Sequence, residues 1–179
     1  MDRYVALLRG INVGGKNKLS MSELKEELTK DDFTDVVTYL NSGNVIFSSN
    51  REDPQILANK MRTRIKLGFE LDIPIHVVLQ AELKELLANA PEWWGDENKE
   101  IYDNVIFMMK PLSFEVLLTE IGEPKADFER VYPYKDIVFW SFIRKEHQKT
   151  NWWAKTAKPK VKDQLTIRTA NTVRKIVDM

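Results

Sequence analysis

The chain has 179 residues, with 27 basic and 27 acidic side chains and no cysteine. The balanced charge gives no global indication of nucleic-acid or membrane binding. The lack of cysteine excludes disulfides, thiolate metal sites and cysteine nucleophiles, and it favours a cytoplasmic location. Only five apolar residues follow Arg3, and no apolar run reaches the length of a membrane span, so we expect neither a signal peptide nor a membrane helix.

The first half of the chain predicts the element order β-α-β-β-α-β. Apolar runs bounded by turn residues indicate strands at residues 4–8, 36–40, 44–48 and 73–79. A capping box at Ser20 and Glu23 begins the first helix, and Asp53 followed by Pro54 begins the second. This order is the split form of the ferredoxin-like plait.

The second half repeats the order, so the predicted fold is α+β, with two tandem ferredoxin-like repeats and a structural duplication. Strands are predicted at residues 104–109, 128–132, 137–143 and 165–168, around a hairpin turn at 133–136. The first predicted helix begins at Ser113, with Val116, Leu117 and Ile121 inward. The second contains Trp152 and Trp153 and is broken at Pro159, and a terminal helix covers residues 170–177. The predicted subdomains are residues 1–80 and 104–179, joined by a linking helix and turn at 81–103.

The loop after the first strand, residues 10–17, is rich in glycine and resembles an incomplete phosphate-binding loop. Asn17 stands where Ser or Thr would bind magnesium, and the capping box places the helix several residues beyond Lys16. These departures argue against a nucleotide triphosphatase. The structural alternative is that the glycines relieve a tight connection between strand and helix.

The plait brings this loop together with the turn between the second and third strands. The first two strands run parallel, and the third returns antiparallel beside the first, so both connections lie at one edge of the sheet. The candidate ligand-binding residues there are Arg9, Gly10, Asn12, Gly14, Gly15, Lys16, Asn41, Ser42, Gly43 and Asn44. The alternative, which stays open, is that the amides and the serine only hold the two loops together.

Other candidate sites are weaker. His76 and His147 lie in different repeats without a neighbouring ligand pattern, so the sequence predicts no metal site and no cofactor. The segment 144–179 carries ten basic and three acidic residues, a net charge of +7. The aromatic residues Phe139, Trp140, Phe142, Trp152 and Trp153 could stack on bases beside it, but the continuous apolar run 137–143 favours core packing. Strands 4–8, 104–109 and 137–143 accordingly predict sheets without a bare face.

Two blocks resemble the bacterial DUF1697 family: Tyr4-Val-Ala-Leu-Leu-Arg-Gly-Ile-Asn-Val-Gly-Gly-Lys-Asn17 and Thr38-Tyr-Leu-Asn-Ser-Gly-Asn-Val-Ile-Phe47. Residues 166–173 are similar to a third block of the family, although Thr169 and Ala170 replace the expected Asn and Trp. The resemblance implies a soluble bacterial α+β protein of two related subdomains, without an established activity.

Three functions are compatible with these features. The favoured one is a cytoplasmic protein that binds a small anionic ligand at the two convergent loops. The second is a nucleic-acid-binding module that uses the basic C-terminal segment, for which we expect no sequence-selective binding at physiological salt. The third is an enzyme, with catalytic groups that the sequence does not assign. The oligomeric state has no signal in the sequence.

Overall fold

The alternating sequence patterns form eight strands and six α-helices, which this computed structural model describes over all residues from Met1 to Met179. The chain divides into two compact units, one of Met1–Lys84 with Lys175–Met179 and the other of Glu85–Arg174. The terminal residues are joined to the first unit by Gln80, whose side-chain amide donates to the carbonyls of Ile176 and Met179 at 2.9 and 2.8 Å. None of the helices has the length and the apolar character of a membrane span.

The first unit has the predicted plait. Its elements are β1 (Asp2–Leu8), α1 (Met21–Leu28), β2 (Thr34–Tyr39), β3 (Asn44–Ser49), α2 (Pro54–Phe69) and β4 (Ile75–Leu79), followed by α3 (Gln80–Ala88), which contains the unit boundary. The sheet order is β2-β3-β1-β4, and every pair is antiparallel. β1 is central and fully apolar from Tyr4 to Leu8, and all five of these residues are buried.

The second unit has the same topology. Its elements are β5 (Ile101–Met108), α4 (Phe114–Ile121), β6 (Glu129–Tyr134), β7 (Ile137–Ile143), α5 (Trp152–Lys155), β8 (Leu165–Thr169) and α6 (Ala170–Ile176), with 3-10 helices at Arg144–Lys149 and Lys162–Gln164. The last two residues of α6 belong to the first unit. The sheet order is β6-β7-β5-β8, and every pair is again antiparallel. This arrangement confirms the prediction of two tandem ferredoxin-like repeats.

Several predicted details differ from the structure. β2 ends at Tyr39 because Leu40 has a left-handed φ of 58°, which begins the turn one residue early. Val116 is 49% exposed, because the helical spacing from Leu117 to Ile121 sets the buried face of α4. Pro133 lies within β6 rather than in the turn, which is compatible with an edge strand. The helix with the paired tryptophans ends at Lys155, well before Pro159.

The aromatic residues of β7 are buried, as the apolar character of that strand predicts. Phe139, Trp140 and Phe142 are at most 2% exposed, and Trp152 is fully buried. Trp153 is the exception, with 45% of its surface exposed. The core therefore accounts for four of the five aromatic residues that the sequence offered as a base-stacking cluster.

Candidate functional site

The two predicted loops meet at one edge of the first sheet. The backbone N–H of Leu8 donates to the carbonyl of Gly43 at 2.8 Å, which joins the end of β1 to the start of β3. The side-chain amide of Asn12 donates to the carbonyl of Asn41 at 2.9 Å, which joins the glycine-rich loop to the β2–β3 turn. All ten predicted site residues thus belong to one connected pair of loops.

Asn12 holds the glycine-rich loop in place. Its Oδ1 accepts from the backbone N–H of Leu19 at 2.8 Å, and its Nδ2 donates to the carbonyls of Leu19 and Asn41. Asn17, which was absent from the predicted site, donates from Nδ2 to the carbonyl of Gly10 at 2.9 Å. The only sequence signal for Asn17 is its position just after the glycine pair and Lys16. Both asparagines have positive φ values, 54° and 47°, as this residue type tolerates.

The centre of the loop is a small hairpin. Lys16 donates from its backbone N–H to the carbonyl of Val13 at 3.0 Å, and Asn12 donates in the same way to Asn17 at 3.1 Å. Gly14 and Gly15 form its tip, with φ values of 58° and 74° as a type I′ turn requires. A Cβ on either glycine would meet nothing within 4 Å, so the tip projects into open space.

The β2–β3 turn is closely packed instead. A Cβ on Gly43 would lie 2.7 Å from Cδ1 of Ile11 and 2.8 Å from Cβ of Leu8, so only glycine fits there. Asn44 is fully buried, and its Nδ2 donates to the carbonyl of Tyr39 at 2.7 Å and to Oγ of Ser42 at 3.2 Å. The turn is therefore a rigid support on which the glycine-rich loop rests.

The site presents positive charge and exposed backbone. Lys16 is exposed, and Arg9 is half-buried at the end of β1, where its backbone N–H donates to the carbonyl of Pro74 at 3.0 Å. Gly10 also has a positive φ, 70°, with no atom within 4 Å of the position of a Cβ. The amides of Asn12 and Asn44 thus have internal partners, whereas the glycines and Lys16 face solvent.

Part of the basic C-terminal segment serves the second unit itself. Lys155 donates from Nζ to the carbonyl of Ile121 at 3.2 Å, and Lys158 donates to that of Glu120 at 3.1 Å. Nζ of Lys160 lies 3.6 Å from the Glu120 carboxylate. Cations at the last carbonyls of a helix stabilise it, so Lys155 and Lys158 cap α4.

Trp153 lies on the exposed side of this segment. Its ring contacts those of Phe142 and His147, with centroids 5.4 and 4.9 Å away. The guanidinium of Arg144 lies over the ring of Tyr102, 4.5 Å from its centroid. The exposed indole therefore contacts His147 and belongs to the basic segment 144–179.

A cluster of charged residues between α1 and α2 had no sequence signal, because its members are distant in the chain. The Arg64 guanidinium binds Asp31 and lies 3.4 Å from the Glu27 carboxylate. Hydrogen bonding to Arg64 lowers the pKa of Asp31, and hydrogen bonding to Lys30, then to Arg64, lowers that of Glu27. No group of three or more His, Asp or Glu side chains is arranged to hold a metal ion.

The fold and the paired loops define an α+β protein of two ferredoxin-like units with a polar loop site at the edge of the first sheet. Residues 1–139 match the family described as "Protein of unknown function (DUF1697)", and the chain belongs to this family. The match ends before the similar block at residues 166–173. No curated protein matches the chain.

A solved structure shares the complete architecture. The conserved bacterial protein SP0830 from Streptococcus pneumoniae is 30% identical to this chain, with a TM-score of 0.84. The similarity covers 99% of this chain and 97% of that one. The likeness therefore extends over both units.

Proposed function

We propose that this protein binds a small anion in the cytoplasm, at the surface formed by Gly10, Gly14, Gly15 and Lys16 beside Arg9. The observation that carries the proposal is the open space over the three left-handed glycines next to an exposed lysine. Backbone in this conformation can direct successive N–H groups toward one anion, and glycine lets a ligand approach closely. The lack of cysteine supports the cytoplasmic location.

The rest of the predicted site supports this surface. Asn12 fixes both ends of the glycine-rich loop, and Asn44 and Gly43 fix the neighbouring turn. A rigid loop lowers the entropic cost of ordering on binding. The asparagine amides, which were predicted as direct ligand contacts, accordingly hold the loops in position. Arg9 and Lys16 attract the anion. Arg9 can offer a forked pair of donors and Lys16 a mobile charge.

The test is a titration with inorganic phosphate and with ATP, monitored by the melting temperature and by isothermal calorimetry. A ligand at a hundred times its dissociation constant adds about 2.7 kcal/mol of stability. Lys16→Gln should weaken binding about tenfold, because a charge-assisted contact is lost. Lys18→Gln is the matched control, an exposed lysine two residues away, and should bind as the wild type does.

Variants at Arg9 and Asn44 distinguish a role in anion binding from a role in folding stability. Arg9→Ala should abolish anion binding, whereas Asn44→Ala should lower stability by about 1–3 kcal/mol because its buried partners lose a donor. Large stability losses for both variants, together with no ligand in the anion and nucleotide screen, would show that the loops only stabilise the fold.

A second candidate function is weak binding of single-stranded nucleic acid at Trp153. It is favoured by the exposed indole within the basic segment 144–179, since bases stack on aromatic rings and phosphates attract cations. Affinity for oligothymidine should then fall with salt, with a log–log slope of about −0.7 per phosphate contact. It should also fall in Trp153→Ala. If Trp153→Ala binds oligothymidine as the wild type does, the surface around Trp153 is not a nucleic-acid site.

A further inference from the structure

A second potential site lies in the other unit of the chain, in a cleft of about 290 Å³. Ile101 and Ile143 are paired across β5 and β7, and Ser141 lies two residues from Ile143, so these three lining residues share one face of the sheet. Other lining residues come from the segment before β5, including Trp93, and from the loop before β6. The cleft thus combines a sheet face that carries two isoleucines and a serine with two irregular segments.

Two opposite charges line this cleft without internal partners. Arg130 is paired with Ser141 across β6 and β7, so its side chain projects from the same sheet face. Asp127 lies in the loop that leads into β6. Neither side chain forms a hydrogen bond or an ion pair within the protein, and the two do not pair with each other.

The other polar lining groups, Glu129, Ser141 and Asp96, already form hydrogen bonds within the protein. Glu129 accepts from the indole N–H of Trp140 at 3.2 Å and from three backbone N–H groups. The hydroxyl of Ser141 donates to the carboxylate of Asp103. One carboxylate oxygen of Asp96 accepts from the backbone N–H of Asn98 at 2.9 Å. Asp127 and Arg130 are therefore the two charged lining side chains without any internal bond, and Asp96 keeps its second carboxylate oxygen.

We propose that this cleft binds a free amino acid, with its ammonium group on Asp127 and its carboxylate on Arg130. A ligand with a single charge would leave the other side chain without a partner, whereas a zwitterion satisfies both. Guanidinium binds a carboxylate through two parallel hydrogen bonds. The apolar lining takes the ligand's hydrocarbon side chain, and the volume lies at the small end of the range for ligand sites.

The first experiment varies the ligand. L-leucine and L-phenylalanine are titrated into the full-length protein, with calorimetry and the indole N–H resonance of Trp93 as readouts. Their N-acetyl derivatives lack the ammonium charge, and their amides lack the carboxylate. Each of these changes should weaken binding about tenfold, because one charged hydrogen-bonded contact is lost. Equal binding of the amino acid and of either derivative would overturn the proposal.

The second experiment assigns each charge to its residue. Asp127→Asn should bind L-leucine about tenfold more weakly and should no longer distinguish it from N-acetyl-leucine. Arg130→Gln should likewise cease to distinguish L-leucine from its amide. Asp163→Asn and Lys145→Gln, exposed charges elsewhere in the same unit, are the matched controls and should retain full discrimination.

The outcomes are independent of the anion site, which belongs to the other unit. Lys16→Gln should leave amino-acid binding unchanged, and Asp127→Asn should leave phosphate binding unchanged. If none of the standard amino acids binds at about 10 mM, or if Asp127→Asn and Arg130→Gln bind as the wild type does, the cleft is not an amino-acid site.

Discussion

The connection between the third and fourth strands differs between the two units, although both sheets have the same strand order. In the first unit this connection is α2, a helix of 16 residues. In the second unit it consists of the 3-10 helix Arg144–Lys149, the four-residue α5 and the 3-10 helix Lys162–Gln164. One topological role is therefore filled by two different kinds of structure.

α2 is held by a periodic apolar stripe. Leu57, Met61 and Ile65 recur every four residues, and all are at most 1% exposed. Asp53 caps the helix by accepting from the backbone N–H of Gln55 at 2.8 Å. Both features are local, and together they form a long helix whose burial supplies most of its stability.

In the second unit one buried carboxylate binds the start of the connection, beside the buried side chains of Trp152 and Val161. Glu129 is 3% exposed, and its Oε1 accepts from the indole N–H of Trp140 and the backbone N–H of Trp152, both at 3.2 Å. Its Oε2 accepts from the backbone N–H of Lys125 at 3.1 Å and from that of Asn151. A short segment without an apolar stripe is thus fixed by polar groups from distant parts of the chain.

Replacing Glu129 should break the second connection and give the largest effect. Glu129→Ala leaves four N–H donors without their acceptor, so we expect a loss of about 4 kcal/mol in the free energy of unfolding. Urea unfolding measures the loss, with the exposed Glu97→Ala as control. A loss below about 1 kcal/mol would mean that water replaces the carboxylate and that apolar packing holds this connection.

The corresponding change in the first unit is Met61→Ala. Met61 is fully buried in α2, and the cavity should cost about 3 kcal/mol. Leu67→Ala in the same helix is the matched control, because Leu67 is 72% exposed and its loss should change stability by less than about 0.5 kcal/mol. If the two variants were equally stable, the apolar stripe would not be what holds α2.

Asn151 contributes a second polar contact to the connection of the second unit, since its amide joins the start of α5 to the end of α4. Nδ2 donates to the carbonyls of Ile121 at 3.0 Å and Glu123 at 2.8 Å. Asn151→Ala should cost about 1–2 kcal/mol and speed amide exchange in the last turn of α4. Asn171→Ala, on an exposed position of α6, should do neither. Faster exchange spread evenly over the unit would argue against a local tie.

The difference between the connections also explains which features the sequence could predict. The strand order, α2 and the meeting of the two loops followed from apolar periodicity, capping residues and plait topology. The break of the helix with the paired tryptophans was predicted at Pro159 although α5 ends at Lys155, and no sequence pattern indicated that Glu129, 23 residues from Trp152, binds the start of α5. The hydrogen bond of Asn12 to Asn41 joins residues that are distant in the chain, so the sequence could not predict it. For the same reason the sequence could not show that Asp127 and Arg130 lack partners within the protein. A turn asparagine looks the same in sequence whether it binds a ligand or a neighbouring loop.

The smallest expected effect concerns the ion pair that ties α2 to the end of α1. Nε of Arg64 lies 2.8 Å from the Asp31 carboxylate, and this bond lowers the pKa of Asp31 below 3.8. Because the folded pKa is depressed, the pair stabilises the fold above pH 3.8, and the contribution is lost as the pH falls through the folded value.

Asp31→Asn should therefore be less stable than the wild type at pH 7, by below about 1 kcal/mol for such a partly exposed pair. The difference in the free energy of unfolding between this variant and the wild type should decrease when urea unfolding is repeated from pH 5 downward. The difference between Arg64→Gln and the wild type should decrease in the same way. A double variant no less stable than Arg64→Gln would assign the effect of Asp31→Asn to this pair, whereas additive losses would show that the two residues act separately.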